Sequence, residues 1–195
     1  MPMTSRQEDA LREVAHLGSA QAASMLARLV GDVGVLVDVP VVLSANRWQV
    51  GWLLGGRDLR VLAATFTIEG DLTGQVWWVL RAPDAERVGR RLLSRPGVSG
   101  LLSTSVRAAL TEAANIVVSA CLSSVGTMVH ARLVPSTPQV EELTVADLVG
   151  PPSTSGFRTV LAASFLATNT PAFGGWMVLL FEEATREEML RRLGL

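Results

Sequence analysis

Few side chains in this 195-residue sequence could do chemistry, and two small groups of them recur at one spacing. Glu13 is followed three residues later by His16, and Glu112 is followed three residues later by Asn115. Asp9 stands four residues ahead of the first glutamate, and Ala108 four residues ahead of the second. On a helix, residues three and four apart share a face. Each group therefore sets a carboxylate one turn from a side chain that can both donate and accept hydrogen bonds, an amide in one case and a neutral imidazole in the other. Both groups lie opposite the apolar face of their helix, where packing does not demand them. The remaining candidates read as structural. His130 lies in or beside a strand with no acid or second histidine near it in sequence. Cys121 falls on an apolar helix face, where a small buried thiol is the commoner role. A lone cysteine leaves neither a disulfide framework nor a cysteine zinc site, and no metal or cofactor is expected in this chain.

The two groups sit at equivalent places in an internal repeat. At an offset of 99 residues, Ala10-Leu11-x-Glu13-x-Ala15 matches Ala109-Leu110-x-Glu112-x-Ala114, and Ala63-Ala64-Thr65-Phe66 matches Ala162-Ala163-Ser164-Phe165. Trp77-x-Val79-Leu80 matches Trp176-x-Val178-Leu179 in the same register, which favours core packing for both tryptophans. The chain thus reads as one domain of two units, 1–98 and 99–195, joined at Ser94–Gly100. The first unit opens with a helix capped by Ser5 and Glu8, with Leu11, Val14, Gly18, Ala22, Met25 and Leu29 on its core face. Strands are predicted at Val33–Ser44, Arg47–Leu54, Leu59–Glu69 and Thr73–Arg81, then a helix from Pro83 to Leu93. The second unit gives a helix near Ser103–Val125 with Leu110, Ala113, Val117, Cys121 and Met128 inward. After it come a strand near Thr127–Leu133, a short helix near Thr144–Leu148, hairpin strands Phe157–Thr168 and Gly174–Glu182, and a helix from Thr185. The expected architecture is α+β: one antiparallel sheet covered by helices, its halves related by a pseudo-two-fold. Such a duplication supplies its own dimer-like junction, so a monomer is expected.

Composition narrows the classes. Seventeen basic against 18 acidic residues give a formal charge of -1, which argues against nucleic acid as the main partner. With 49% hydrophobic and 18% charged residues the chain is not disordered. The uncharged run Thr159–Phe181 is broken by Asn169–Gly175, a turn cluster, and so reads as a hairpin rather than a membrane span. The run Ala113–Ala131 holds too many polar residues for a lipid-facing helix. Without an apolar signal core at the amino terminus, a cytoplasmic location is expected.

Glu112-x-x-Asn115, with Pro138 23 positions after the asparagine, resembles the signature of the CheC/CheX/FliY phosphatases. The first helix fits it approximately through Asp9, Glu13 and Pro40, with His16 where asparagine is expected and the proline one place late. The duplicated layout is closest to CheC. The resemblance implies hydrolysis of the phospho-aspartate of a CheY-like response regulator, whose own site supplies Mg²⁺. It implies that Asn115 orients water and that Glu112 pairs with the regulator's lysine. It also implies that the site of Asp9, Glu13 and His16 is degenerate. The alternative is a weak or inactive adaptor that binds a response regulator or a CheD-type deamidase.

Overall fold

The computed structural model describes residues 3–31, 33–93, 103–151, 157–168 and 172–195, with the side chains of residues 157 and 158 left aside. The joint expected at Ser94–Gly100, and Asn169–Pro171 of the hairpin turn, lie outside them. The first half runs α1 (Ser5–Leu29), β1 (Val35–Val37), β2 (Val41–Asn46), α2 (Val50–Leu53), β3 (Arg60–Gly70), β4 (Gly74–Arg81) and α3 (Ala82–Leu92). The second half runs α4 (Thr104–Met128), β5 (Leu133–Pro135), β6 (Gln139–Thr144), α5 (Val145–Val149), β7 (Phe157–Ala167), β8 (Phe173–Phe181) and α6 (Glu183–Arg192). The two lists have the same order.

All strands join one antiparallel sheet in the order β1-β7-β8-β4-β3-β5, with β2 also on β7 and β6 also on β3. Replacing each strand by its counterpart in the other half turns this order into its own reverse, as a two-fold axis between β4 and β8 requires. The two hairpins keep one register at the 99-residue offset. Ala63 pairs with Val79 and Ala162 with Val178; Thr65 pairs with Trp77 and Ser164 with Trp176. The flanking strands differ by two residues. Val41, just after Pro40, faces Ala162, whereas Gln139, just after Pro138, faces Thr65, the counterpart of Ser164. A slip of two leaves every side chain on its own face of the sheet.

Alternation along the strands builds two cores. Trp78 enters the larger core, beneath α1, α3 and α4, while its neighbour Trp77 enters the smaller one, beneath α2 and α5, together with Trp176. The close approach of α1 to α4 depends on Gly18. A Cβ there would stand 2.8 Å from Val125 Cγ2 and 3.1 Å from Cys121 Sγ.

Several local expectations are corrected. The cap of α1 is Thr4, which accepts from the Gln7 N–H while Gln7 Oε1 accepts from Thr4 N, so the capping box lies one residue before Ser5 and Glu8. Met25 and Leu29, and Met128 on α4, are only partly buried. Val33–Ser44 is two strands, β1 and β2, separated at residues 38–40. Arg47–Leu54 is no strand: Val50 and Leu54, both buried, lie one helical turn apart, and Gly51 packs toward Val145 and Val149 of α5. Nor is Thr127–Leu133 a strand. There α4 continues to Met128, His130 turns the chain with a φ of 50°, and Arg192 Nη1 donates to the His130 carbonyl at 2.6 Å. The strand β6 was not foreseen.

Candidate functional site

α4 is a rigid mount for the Glu112–Asn115 pair. Leu110, Ala113, Ala114 and Val117 form the buried face directly behind it, each 2% exposed or less. The helix begins at Ser103, whose hydroxyl accepts from Val106 N at 3.4 Å. Arg107 Nη1 donates to the Val140 carbonyl of β6 at 2.7 Å, and Thr111 Oγ1 returns to the Arg107 carbonyl at 2.9 Å. Through that arginine the amino-terminal half of α4 is tied to the strand that Pro138 introduces. Helix and strand are thereby fixed to each other near the amino-terminal end of α4.

Glu112 is exposed and Asn115 partly buried, on one side of the helix. Neither side chain makes a hydrogen bond or ion pair among the described residues. Their polar groups are held in place by the helix and left open to a partner. Ala108, one turn before Glu112, is exposed and adds no polar group.

The equivalent face of α1 carries Asp9, Glu13 and His16, all exposed. Its buried side is Leu11, Val14, Ala15 and Gly18. Glu13 and His16 likewise make no side-chain hydrogen bond among the described residues. Asp9 is ion-paired with Arg12 one turn on, so this carboxylate is already engaged. The counterpart of Arg107 in this half is Glu8, which cannot donate to a strand carbonyl. The structure therefore sets each predicted group on an exposed helix face, on two different helices. The residue that sequence reasoning did not single out is Arg107. Its one signal was that α4 contains a single cation and a single anion in 25 residues.

The other candidates are structural. Cys121 is fully buried against α1, and burial pushes its thiol up to about 12, so it is un-ionised at neutral pH. Trp77 is 1% and Trp176 9% exposed, both within the smaller core. Among the described residues no group of three or more His, Cys, Asp or Glu side chains could hold a metal ion. The α4 helix is long and apolar enough to cross a membrane by length and composition, yet ten of its residues pack inside the fold. The run Thr159–Phe181 is the β7–β8 hairpin, with Thr159 directly opposite Phe181.

No family model matches the chain. Among curated proteins it is 30% identical over 140 residues to the CheY-P phosphatase CheC of Bacillus subtilis, an alignment covering 69% of this chain and 65% of that relative's length. Among solved structures the fold matches Thermotoga maritima FliY with a TM-score of 0.75 at 18% identity, covering 100% of this chain and 98% of that one. It also matches the chemotaxis protein CheX of Desulfovibrio desulfuricans with a TM-score of 0.61 at 16% identity, covering 86% and 97%.

Proposed function

We propose that the chain is a CheC-like member of the CheC/CheX/FliY family and that it hydrolyses the phospho-aspartate of a CheY-type response regulator, using α4; its likeness to CheC over 65% of that relative's length supports this reading. The observation that carries this reading is the Glu112–Asn115 pair: one turn apart, free of partners among the described residues, and backed by a buried helix face. Docking brings that face over the phosphorylated aspartate. Asn115 holds a water in line with the scissile bond, its amide oxygen accepting a hydrogen bond from the water so that a lone pair faces phosphorus. An amide does this at any physiological pH because it does not titrate. Water adds to phosphorus, the aspartyl carboxylate leaves, and inorganic phosphate departs. Glu112 pairs with the regulator's lysine and fixes the register of the two proteins. The regulator supplies the Mg²⁺ that balances the phosphoryl charge. Such a partner places the protein in the cytoplasm.

On α1, the imidazole of His16 is a rigid ring where the family pattern has a flexible amide, and Asp9 is held by Arg12. We assign that face a degenerate role. The deciding experiment incubates phosphorylated CheY-type regulators with and without the chain and follows loss of acyl phosphate. Acceleration supports the phosphatase reading. Tight binding of a regulator or of a CheD-type deamidase without acceleration supports the adaptor reading.

A further inference from the structure

A cleft of about 370 Å³ is lined by the β1–β2 connection, the end of β4, the first turns of α3 and the facing ends of β7 and β8, and contains no residue of α1 or α4. Two opposite charges line it without pairing with each other. Arg81, the last residue of β4, stacks over Trp176 with its Cζ 5.4 Å from the ring centroid, and has no anionic partner among the described residues. Asp38 is held from β7: its N–H donates to the Ser164 carbonyl at 3.0 Å, and its Oδ2 accepts from the Ser164 hydroxyl. Its Oδ1 has no partner among the described residues. The other two charges of the cleft are spent on each other, because Arg87 Nη1 donates to Asp84 Oδ1 and, at 3.4 Å, to the Ala172 carbonyl. Exposed charges are commonly just solvated on long side chains that swing. Arg81 and Asp38 are instead pinned, one on an aromatic face and the other by a hydroxyl and a carbonyl, so little ordering remains to be done when a ligand meets them.

The equivalent cleft of the first half is an internal control. At the 99-residue offset Thr65 stands for Ser164 and Trp77 for Trp176, and an arginine again lies over the tryptophan, Arg47 at 4.9 Å. There the likeness stops. Thr137 stands where the second cleft has Asp38, so the carboxylate is missing, and Gln75 stands where it has Gly174, so a side chain takes up room. That cleft measures about 220 Å³. Thr67 becomes Leu166, 51% exposed, which turns a hydroxyl-bearing wall into an apolar one.

We propose that the larger cleft binds a small zwitterion, an α-amino acid with an apolar side chain, its carboxylate on Arg81, its ammonium on Asp38 and its side chain against Leu166. Stacking occupies the face of a guanidinium, while its N–H donors lie in the plane and remain for a carboxylate. An ionised carboxylate has roughly four acceptor sites, of which Ser164 uses one. A plain anion would set its charge beside Asp38, and a plain cation beside Arg81; a ligand carrying both charges meets each with its opposite. The volume lies at the small end of the roughly 300–1,000 Å³ usual for small-molecule sites. This inference is independent of the phosphatase reading, since the cleft and the α4 face share no residue.

The test is titration calorimetry of the full chain with L-leucine and L-phenylalanine up to about 10 mM, above the roughly millimolar Kd that ligands of this size reach. Saturable one-to-one binding of at least one of them is expected. Two analogues of the amino acid that binds, one without the amine and one without the carboxylate, should each bind roughly tenfold more weakly or worse. Asp38→Asn and Arg81→Gln should weaken binding of the intact amino acid to the same degree, whereas Gln139→Ala, in the equivalent cleft of the first half, should bind like the parent. Circular dichroism checks each variant; should one fail to fold, the two analogues on the parent chain decide. No saturable binding of either amino acid, an analogue that binds as well as the intact amino acid, or binding lost in Gln139→Ala but kept in both charge variants would overturn the proposal.

Discussion

α1 and α4 are both 25-residue helices on the same face of one sheet, yet only α4 presents the glutamate–amide pair unencumbered. On α4, Glu112 and Asn115 have no partner among the described residues, and the helix is tied to β6 through Arg107. On α1, Asp9 is paired with Arg12, and the amide is replaced by His16. The scaffolds repeat while the polar faces diverge. A buried face is held by packing against its neighbours, where a lost methylene costs stability. An exposed face is held only by what it binds, so one copy can drift once the other suffices.

The contrast between the two helices is open to mutation. The largest effect is expected from Asn115→Ala, which should lower stimulated dephosphorylation by on the order of 10²–10³, as loss of one positioning group does elsewhere. The circular dichroism spectrum should not change, because the side chain points away from the core. Glu112→Ala should weaken regulator binding roughly tenfold, about 1.4 kcal/mol, with a shallower dependence on salt, read by titration calorimetry at several ionic strengths. Gly18→Val tests the shared scaffold. Crowding Val125 and Cys121 should cost about 1–3 kcal/mol and lower Tm by several degrees, while leaving the chemistry of Asn115 intact. The smallest effect belongs to α1. His16→Ala should leave the rate nearly unchanged, and His16→Asn should raise it by no more than about twofold, since two independent sites can at most double it.

Much of this arrangement was legible in the sequence, for physical reasons. The long helices and the β3–β4 and β7–β8 hairpins carry strong 3.6- and 2-residue periods reinforced by duplication, and the outward faces of α1 and α4 followed from helical spacing alone. Arg47–Leu54 misled because Trp48, Val50, Trp52 and Leu54 alternate as a strand would. The same residues sit four apart in pairs, and Trp48 and Trp52 meet edge to face with ring centroids at 6.3 Å. The strand β6 was hidden by its two glutamates, which suit an edge and not a buried pattern. The anchoring of Arg107 could not be read because its acceptor is on that unrecognised strand, 33 residues away. The pairing of Asp9 with Arg12 lies one turn along the same helix, but Asp9 also had an outward stripe to belong to.

On the proposed reading α4, not α1, enters the regulator's site. The most direct test is a co-crystal structure of the chain with a CheY-type regulator carrying a beryllofluoride mimic of its phosphoryl group. Glu112 is expected within ion-pair distance of the regulator's lysine, and the Asn115 amide is expected to face the mimic from the in-line side. A complex with His16 of α1 in that place, or with both helix faces left in solvent, would contradict it.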